Sequence, residues 1–195
     1  YLKPRRFRNL VVCLSCLLCL GIYHTVMRWY DRPCPSLVFY NVRGCPAIHC
    51  IAEDGTSWLN YADTLSDKRR LQAVAANYWR RHQLLPPIEV TADCQNVDFC
   101  RHQQIVFYHG CRICMVTDNR WRNKSAASPL FINYMYLCKG YNGRLEELTG
   151  LFSPSCILLD ASLSDDRKQF FREECKRLHL HFITLSEEGS VRFLL

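Results

Sequence analysis

From Asn9 to Met27 the chain runs NLVVCLSCLLCLGIYHTVM, with no Lys, Arg, Asp or Glu. That is about 19 residues, close to the roughly 20 a helix needs to cross a bilayer. Apolar residues cover every face, which a surface helix of a soluble domain would not tolerate. Trp29 and Tyr30 follow at once and suit a membrane–water interface. The pattern predicts a transmembrane helix over residues 9–30, with His24 snorkelling to its outer end. A signal peptide has similar basic and apolar regions. The chain starts on Tyr1 rather than Met, however, so the expectation is the last span of a longer protein.

Beyond Pro33 and Pro35 the pattern changes to short apolar runs punctuated by turn residues. Leu37–Val42, Ala47–Glu53 and Ser57–Ala62 are expected strands, the last two joined by an Asp54-Gly55 hairpin. Leu71, Val74, Ala75 and Tyr78 recur at helical spacing in TLSDKRRLQAVAANYWRRHQ, with Ser66 as a candidate N-cap and Pro86-Pro87 as the stop. Ile88–Thr91, Gln104–Tyr108 and Arg112–Thr117 give a second strand set, followed by a polar, basic loop over Asn119–Pro129. A strand is expected at Ile132–Leu137, a short helix at Arg144–Leu151 and a strand at Cys156–Asp160. Ser164 caps a helix over Asp165–His179, and LHFITL with SVRFLL is expected to close the chain as a hairpin around Glu188-Gly189. The order implies one α/β (α+β) domain over residues 36–195, two-layered or sandwich-like.

Charge and cysteine change this picture a little. Of the net charge of +7, four cations (Lys3, Arg5, Arg6 and Arg8) lie in the basic flank, residues 1–8. They outweigh Arg28 and Arg32 beyond the span, so the positive-inside rule puts the flank in the cytoplasm and residues 31–195 outside. The rest is mildly basic, which permits nucleic-acid binding without demanding it. Thirteen cysteines are many for 195 residues, but Cys13, Cys16 and Cys19 lie in the apolar segment and most others in expected strands. They are read mainly as small hydrophobes, with one or two disulfides allowed in an oxidising compartment.

FYNVRGCPA, EDGTSW and LNYAD follow one another as strand, hairpin and strand, and the second half holds LLDAS (Leu158–Ser162) and FFREECKRL (Phe170–Leu178). In order and spacing these phrases resemble the C-terminal domain of ComEC-type competence proteins, in particular a branch with a shortened, degenerate tail. The resemblance covers roughly residues 8–195. It implies a truncated, degenerate metallo-β-lactamase-like sandwich preceded by one transmembrane helix. It also implies a place in a bacterial inner-membrane channel for DNA internalisation, with the domain extracytoplasmic (periplasmic). Expected partners are then single-stranded DNA, the membrane through residues 9–30, the upstream channel domain and other competence machinery.

The departures bear on chemistry. Working members of that hydrolase fold hold two metals with an HxHxDH motif, and none occurs here. The HxH at His179-Leu180-His181 runs into a late strand. Cys138-Lys139-Gly140 stands where the family carries a His-His-Gly stretch, Asn41 takes an Asp position and Asp63 a Gly position. An ammonium is not a metal ligand, so no catalytic residue, metal or cofactor is expected.

Smaller signals have bland readings. Cys111 and Cys114 form a CxxC, but residues i and i+3 of a strand point to opposite faces and cannot chelate one ion. His49, His102 and His109 each lack a paired carboxylate and are taken as turn or surface histidines. Asp160, Ser162 and Ser164 are expected to hydrogen-bond the entry of the following helix. Two basic-aromatic clusters remain as DNA candidates: Lys68, Arg69, Arg70, Trp79, Arg80 and Arg81 on one helix, and Arg120, Trp121, Arg122 and Lys124 in a loop. Arg and Lys on phosphates with Trp under bases is the chemistry of single-strand binding. The alternative is a structural or partner-docking domain that never touches DNA; an active metallohydrolase or nuclease ranks behind both.

Overall fold

A computed structural model describes residues 4–30, 34–61, 68–82 and 84–195, with side chains of the first stretch described from Phe7 to Val26. The proposed cap Ser66, the substitution Asp63 and the rings of Trp29 and Tyr30 lie outside the described residues. Helix α1 (Pro4–Tyr30) runs through the basic flank as well as the apolar segment. Its stretch Phe7–Val26, 20 residues, is long and apolar enough to cross a membrane, and none of it is buried. At 1.5 Å per residue it spans about 30 Å, the thickness of a bilayer core. Ser15 and Thr25 turn their hydroxyls back onto the carbonyls of Val11 and Gly21, at 2.9 and 2.8 Å, which hides two polar groups from lipid.

The rest of the chain builds two sheets. The first contains β1 (Ser36–Tyr40), β2 (Ala47–Ile51), β3 (Ser57–Tyr61) and, beyond helix α2 (Lys68–Arg81), β4 (Ile88–Val90). The second collects β5 (Cys94–Gln95), β6 (Phe99–His102), β7 (Ile105–Tyr108), β8 (Cys111–Val116) and β9 (Leu130–Leu137). Helix α3 (Leu145–Thr149), strand β10 (Phe152–Leu159), helix α4 (Asp165–Arg177), strand β11 (Phe182–Thr184), helix α5 (Leu185–Glu188) and strand β12 (Val191–Leu194) complete the chain. The sheet orders are β12-β1-β2-β3-β4 and β11-β10-β9-β8-β7-β6-β5. Pairing of β8 to β9, β9 to β10 and β10 to β11 is parallel.

Alternation explains the layers. Leu37, Phe39, Ile48, Cys50 and Trp58 of the first sheet meet Phe99, Val106, Ile113, Tyr136 and Leu158 of the second in one core. The ring of Phe39 lies edge-on to Tyr136 at 5.3 Å, and Trp58 stacks on Phe99 at 5.6 Å. The intervening residues Val38, Tyr40, Leu59 and Tyr61 face the other way and pack with Leu71 and Ala75 of α2. Cys114, Val116, Ile157 and Leu159 do the same beneath Leu145, Leu148, Phe171 and Cys175 of α3 and α4. Strands buried on both faces with helices outside make a four-layer α/β sandwich. Cys111 packs toward the inter-sheet core and Cys114 toward the helices, so the CxxC points two ways.

Three expectations need correction. The closing hairpin does not form: β11 pairs parallel to β10, whereas β12 pairs antiparallel to β1 in the other sheet. Helix α5 carries the chain across, with Leu185 buried between the sheets and Arg172 of α4 ion-paired to Glu187. A pair β6–β7 also stands where only the second strand was expected, because Gln103 takes a positive φ of 54° and closes a tight turn. His49 is no surface or turn residue, being completely buried in β2. Among the described residues no disulfide is formed.

Candidate nucleic-acid interface

Between Lys68 and Arg81, α2 carries five cations and no carboxylate. Leu71 and Ala75 are its buried side, so Arg69, Arg80 and Arg81 are left exposed on the outside. Arg80 holds itself to the helix through Asn77 Oδ1 at 2.9 Å, and Lys68 reaches Glu89 at 2.6 Å. Arg192 of β12 joins this face. Its charge and that of Arg81 help depress the proton affinity of His82, after burial as the larger cause.

Trp79 does not lie open for stacking. Its Nε1–H donates to Tyr40 Oη at 3.1 Å, and its ring meets His49 edge-on. Tyr40 Oη lies 2.8 Å from His49 Nδ1. The indole N–H can only donate, so Tyr40 Oη accepts from Trp79 while sharing a second hydrogen bond with the neutral imidazole. The relay Trp79–Tyr40–His49 therefore clamps α2 to the first sheet. Burial holds the imidazole down to about 3 and raises the Tyr40 phenol well above its usual range.

The loop cluster is similarly occupied. Trp121 Nε1–H donates to Gln104 Oε1 at 2.6 Å, its ring stands edge-on to Phe152, and Lys124 lies over it at 5.4 Å. Arg120 pairs with Asp118 at 2.8 Å and Arg122 with Glu147 at 3.3 Å. The structure thus keeps the two sequence clusters apart and neutralises much of the second.

It brings Arg70 to a different place. At the C-terminal ends of β1, β9 and β10 a cleft of about 510 Å³ is lined by Arg43, Arg70, Lys139 and Arg167, with Asn142, Ser162 and Ser164 between them. Ends of strands beside a helix start are where α/β sheets place ligands. Lys139 and Gly140 form the turn after β9. Gly140 has φ +113°, and a Cβ there would sit 2.2 Å from the Thr117 carbonyl oxygen, so only glycine fits. The Lys139 amide donates to Ser162 Oγ at 3.1 Å, tying the two strand ends together. Beneath them Asp160 is buried, accepting from Tyr136 Oη and from the Ser162 amide at 2.7 Å. Burial raises its carboxyl above the usual range despite both bonds. Of the three residues expected to bond the helix entry, Ser164 does so, capping α4 by accepting from the Arg167 amide, whereas Asp160 and Ser162 order the strand ends instead.

The donor set here does not suit a metal pair. Asn41, Cys138, Lys139 and a carboxylate with both oxygens already engaged offer no cluster, and among the described residues no group of three His, Cys, Asp or Glu stands together. His181, from the HxH, lies instead 3.2 Å from Cys156 Sγ. Sequence reasoning passed over Arg43, Lys139 and Arg167. The available signal was that Lys139 occupies the turn where related domains carry histidines.

Fold and cleft together define a membrane-anchorable α/β sandwich whose strand ends carry cations rather than metal ligands. The family model described as ComEC C-terminal domain matches residues 37–195, and the chain belongs to that family. Comparison with curated proteins and with solved structures found no match. Membership connects the protein with DNA uptake in competence.

Proposed function

We propose that this domain is a non-catalytic, extracytoplasmic element of a DNA-uptake channel that assists passage of single-stranded DNA through phosphate contacts. The observation that carries the reading is the carboxylate-free basic face of α2, extended by Arg192. Lys and Arg on phosphates supply sequence-independent, salt-sensitive affinity. The four-layer sandwich is consistent with a degenerate metallo-β-lactamase-like domain, and the exposed apolar stretch of α1 with a membrane anchor. Cations before the span favour a cytoplasmic N-terminus. The missing HxHxDH motif and the engaged Asp160 favour a role without hydrolysis.

The test is binding and cleavage of labelled oligo-dT by the full chain in a neutral detergent. Expected are salt-dependent binding and intact DNA in the presence of Mn²⁺ or Zn²⁺. Metal-dependent cleavage would refute the non-catalytic part, and no binding at low salt would refute the DNA part. A second reading, a scaffold that docks channel components, is favoured by the internal engagement of Trp79 and Trp121.

A further inference from the structure

Several cations outside the cleft are paired with carboxylates. Lys68, Arg120, Arg122, Lys168, Arg172 and Arg177 each reach a carboxylate within 4.0 Å. The cleft at the ends of β1, β9 and β10 is different. Among the described residues that line it there is no carboxylate. The side chains of Arg43 and Lys139 are exposed and have no hydrogen-bond or ion-pair partner among the described residues.

Arg167 is the built member of the group. Its guanidinium sits over the rings of Phe170 and Phe171, at 4.8 and 4.5 Å. Its Nη2 donates to the carbonyls of Tyr141 and Gly143, at 3.2 and 3.0 Å. These contacts fix its position but cancel none of its charge, and its Nε–H is buried without an acceptor among the described residues. Placing like charges together costs free energy unless an anion offsets the repulsion. The turn that presents Lys139 is locked by Gly140 and by the Ser162 bond, so this charge is held by the fold.

We propose that the cleft is a metal-free phosphate-binding site, in which Arg43, Lys139 and Arg167 take the anionic oxygens and the hydroxyls of Ser162 and Ser164 flank them. Its volume falls within the range of small-molecule sites, roughly 300–1,000 Å³, so it has room for a nucleotide unit. Among the described residues no exposed aromatic ring lines it, so recognition is of the phosphate and blind to the base. A DNA backbone and a free nucleotide present the same phosphate chemistry to it. This site draws on other cations than the exposed Arg69, Arg80 and Arg81 on which the functional reading rests, although Arg70 of the same helix reaches its edge.

The test uses the full chain in neutral detergent with three probes: oligo-dT, dTMP and inorganic phosphate. Arg43→Ala with Lys139→Ala should lower affinity for whichever probes bind, by on the order of tenfold, with the thermal transition unchanged. Loss of two backbone contacts should also flatten the log–log salt slope of oligo-dT binding by about 1.4. Arg80→Ala with Arg81→Ala is the control on α2 and should leave dTMP and phosphate binding intact. Binding of dTMP or phosphate without oligo-dT, lost in the cleft variant, would uphold the cleft, assign it to free phosphates and refute DNA guidance. Oligo-dT binding that survives the cleft variant and is lost only in the α2 variant would overturn the cleft and uphold guidance. No binding of any probe would overturn both.

Discussion

His49 makes the stability of this domain depend on pH in a calculable way. The imidazole is completely buried, shares a hydrogen bond with Tyr40 Oη at Nδ1 and has no partner for Nε2 among the described residues. Burial lowers its proton affinity from an ordinary value of 6.5 to about 3. The folded value lies below the unfolded one, so the unfolded chain binds the proton first. Stability from this residue is complete above about pH 6.5 and is lost as pH falls toward 3. Each unit in that window costs up to about 1.4 kcal/mol, hence about 2 kcal/mol at pH 5. For a chain of this size that corresponds to a fall in Tm of roughly 4–8 °C. Thermal unfolding of the full chain, followed by tryptophan fluorescence, should be measured at pH 8, 6.5 and 5. His49→Gln keeps an acceptor for Tyr40 but cannot titrate. It should be less stable than wild type at pH 8 and lose about 2 kcal/mol less on acidification. Equal acid sensitivity in the two proteins would refute a buried, neutral His49.

Other predictions follow from single contacts. Asp160→Asn turns one acceptor into a donor facing Tyr136 Oη or the Ser162 amide, and should cost about 1–3 kcal/mol by thermal melt. Adding Tyr136→Phe should cost less in that background than in wild type, because the two groups share one bond. Gly140→Ala collides with the Thr117 carbonyl and should destabilise by more than about 1 kcal/mol, read by the same melt. Trp79→Phe leaves Tyr40 without its donor and should cost about 1 kcal/mol while changing oligo-dT affinity less than about twofold. A large loss of affinity instead would make Trp79 a base-stacking residue.

Much of the scaffold was legible because it is written in short-range chemistry. Asp54-Gly55 turns as a hairpin, with Asp54 accepting from the Thr56 amide at 2.8 Å, and Ser164 caps α4. What failed was long-range pairing. Nothing local tells Phe182–Thr184 to join β10 and Val191–Leu194 to join β1, since both segments alternate like partners of one hairpin. His49 was misjudged for the same reason, because its partners Tyr40 and Trp79 lie 9 and 30 positions away and assemble only when α2 docks. Runs of charge in the sequence point to helices and loops. The cleft draws Arg43, Arg70, Lys139 and Arg167 from four separate segments, so no window of sequence contains it.

The central claim is that this domain helps DNA through by positive charge rather than by chemistry. The most direct measurement is DNA uptake by competent cells whose only copy of the protein carries Arg69→Glu, Arg80→Glu and Arg81→Glu. All three side chains are exposed, so the fold should stand, and equal amounts of protein in the membrane would verify it. Removing and reversing three phosphate contacts should cut uptake by on the order of tenfold or more. Uptake equal to that of cells with the unaltered protein would contradict the account.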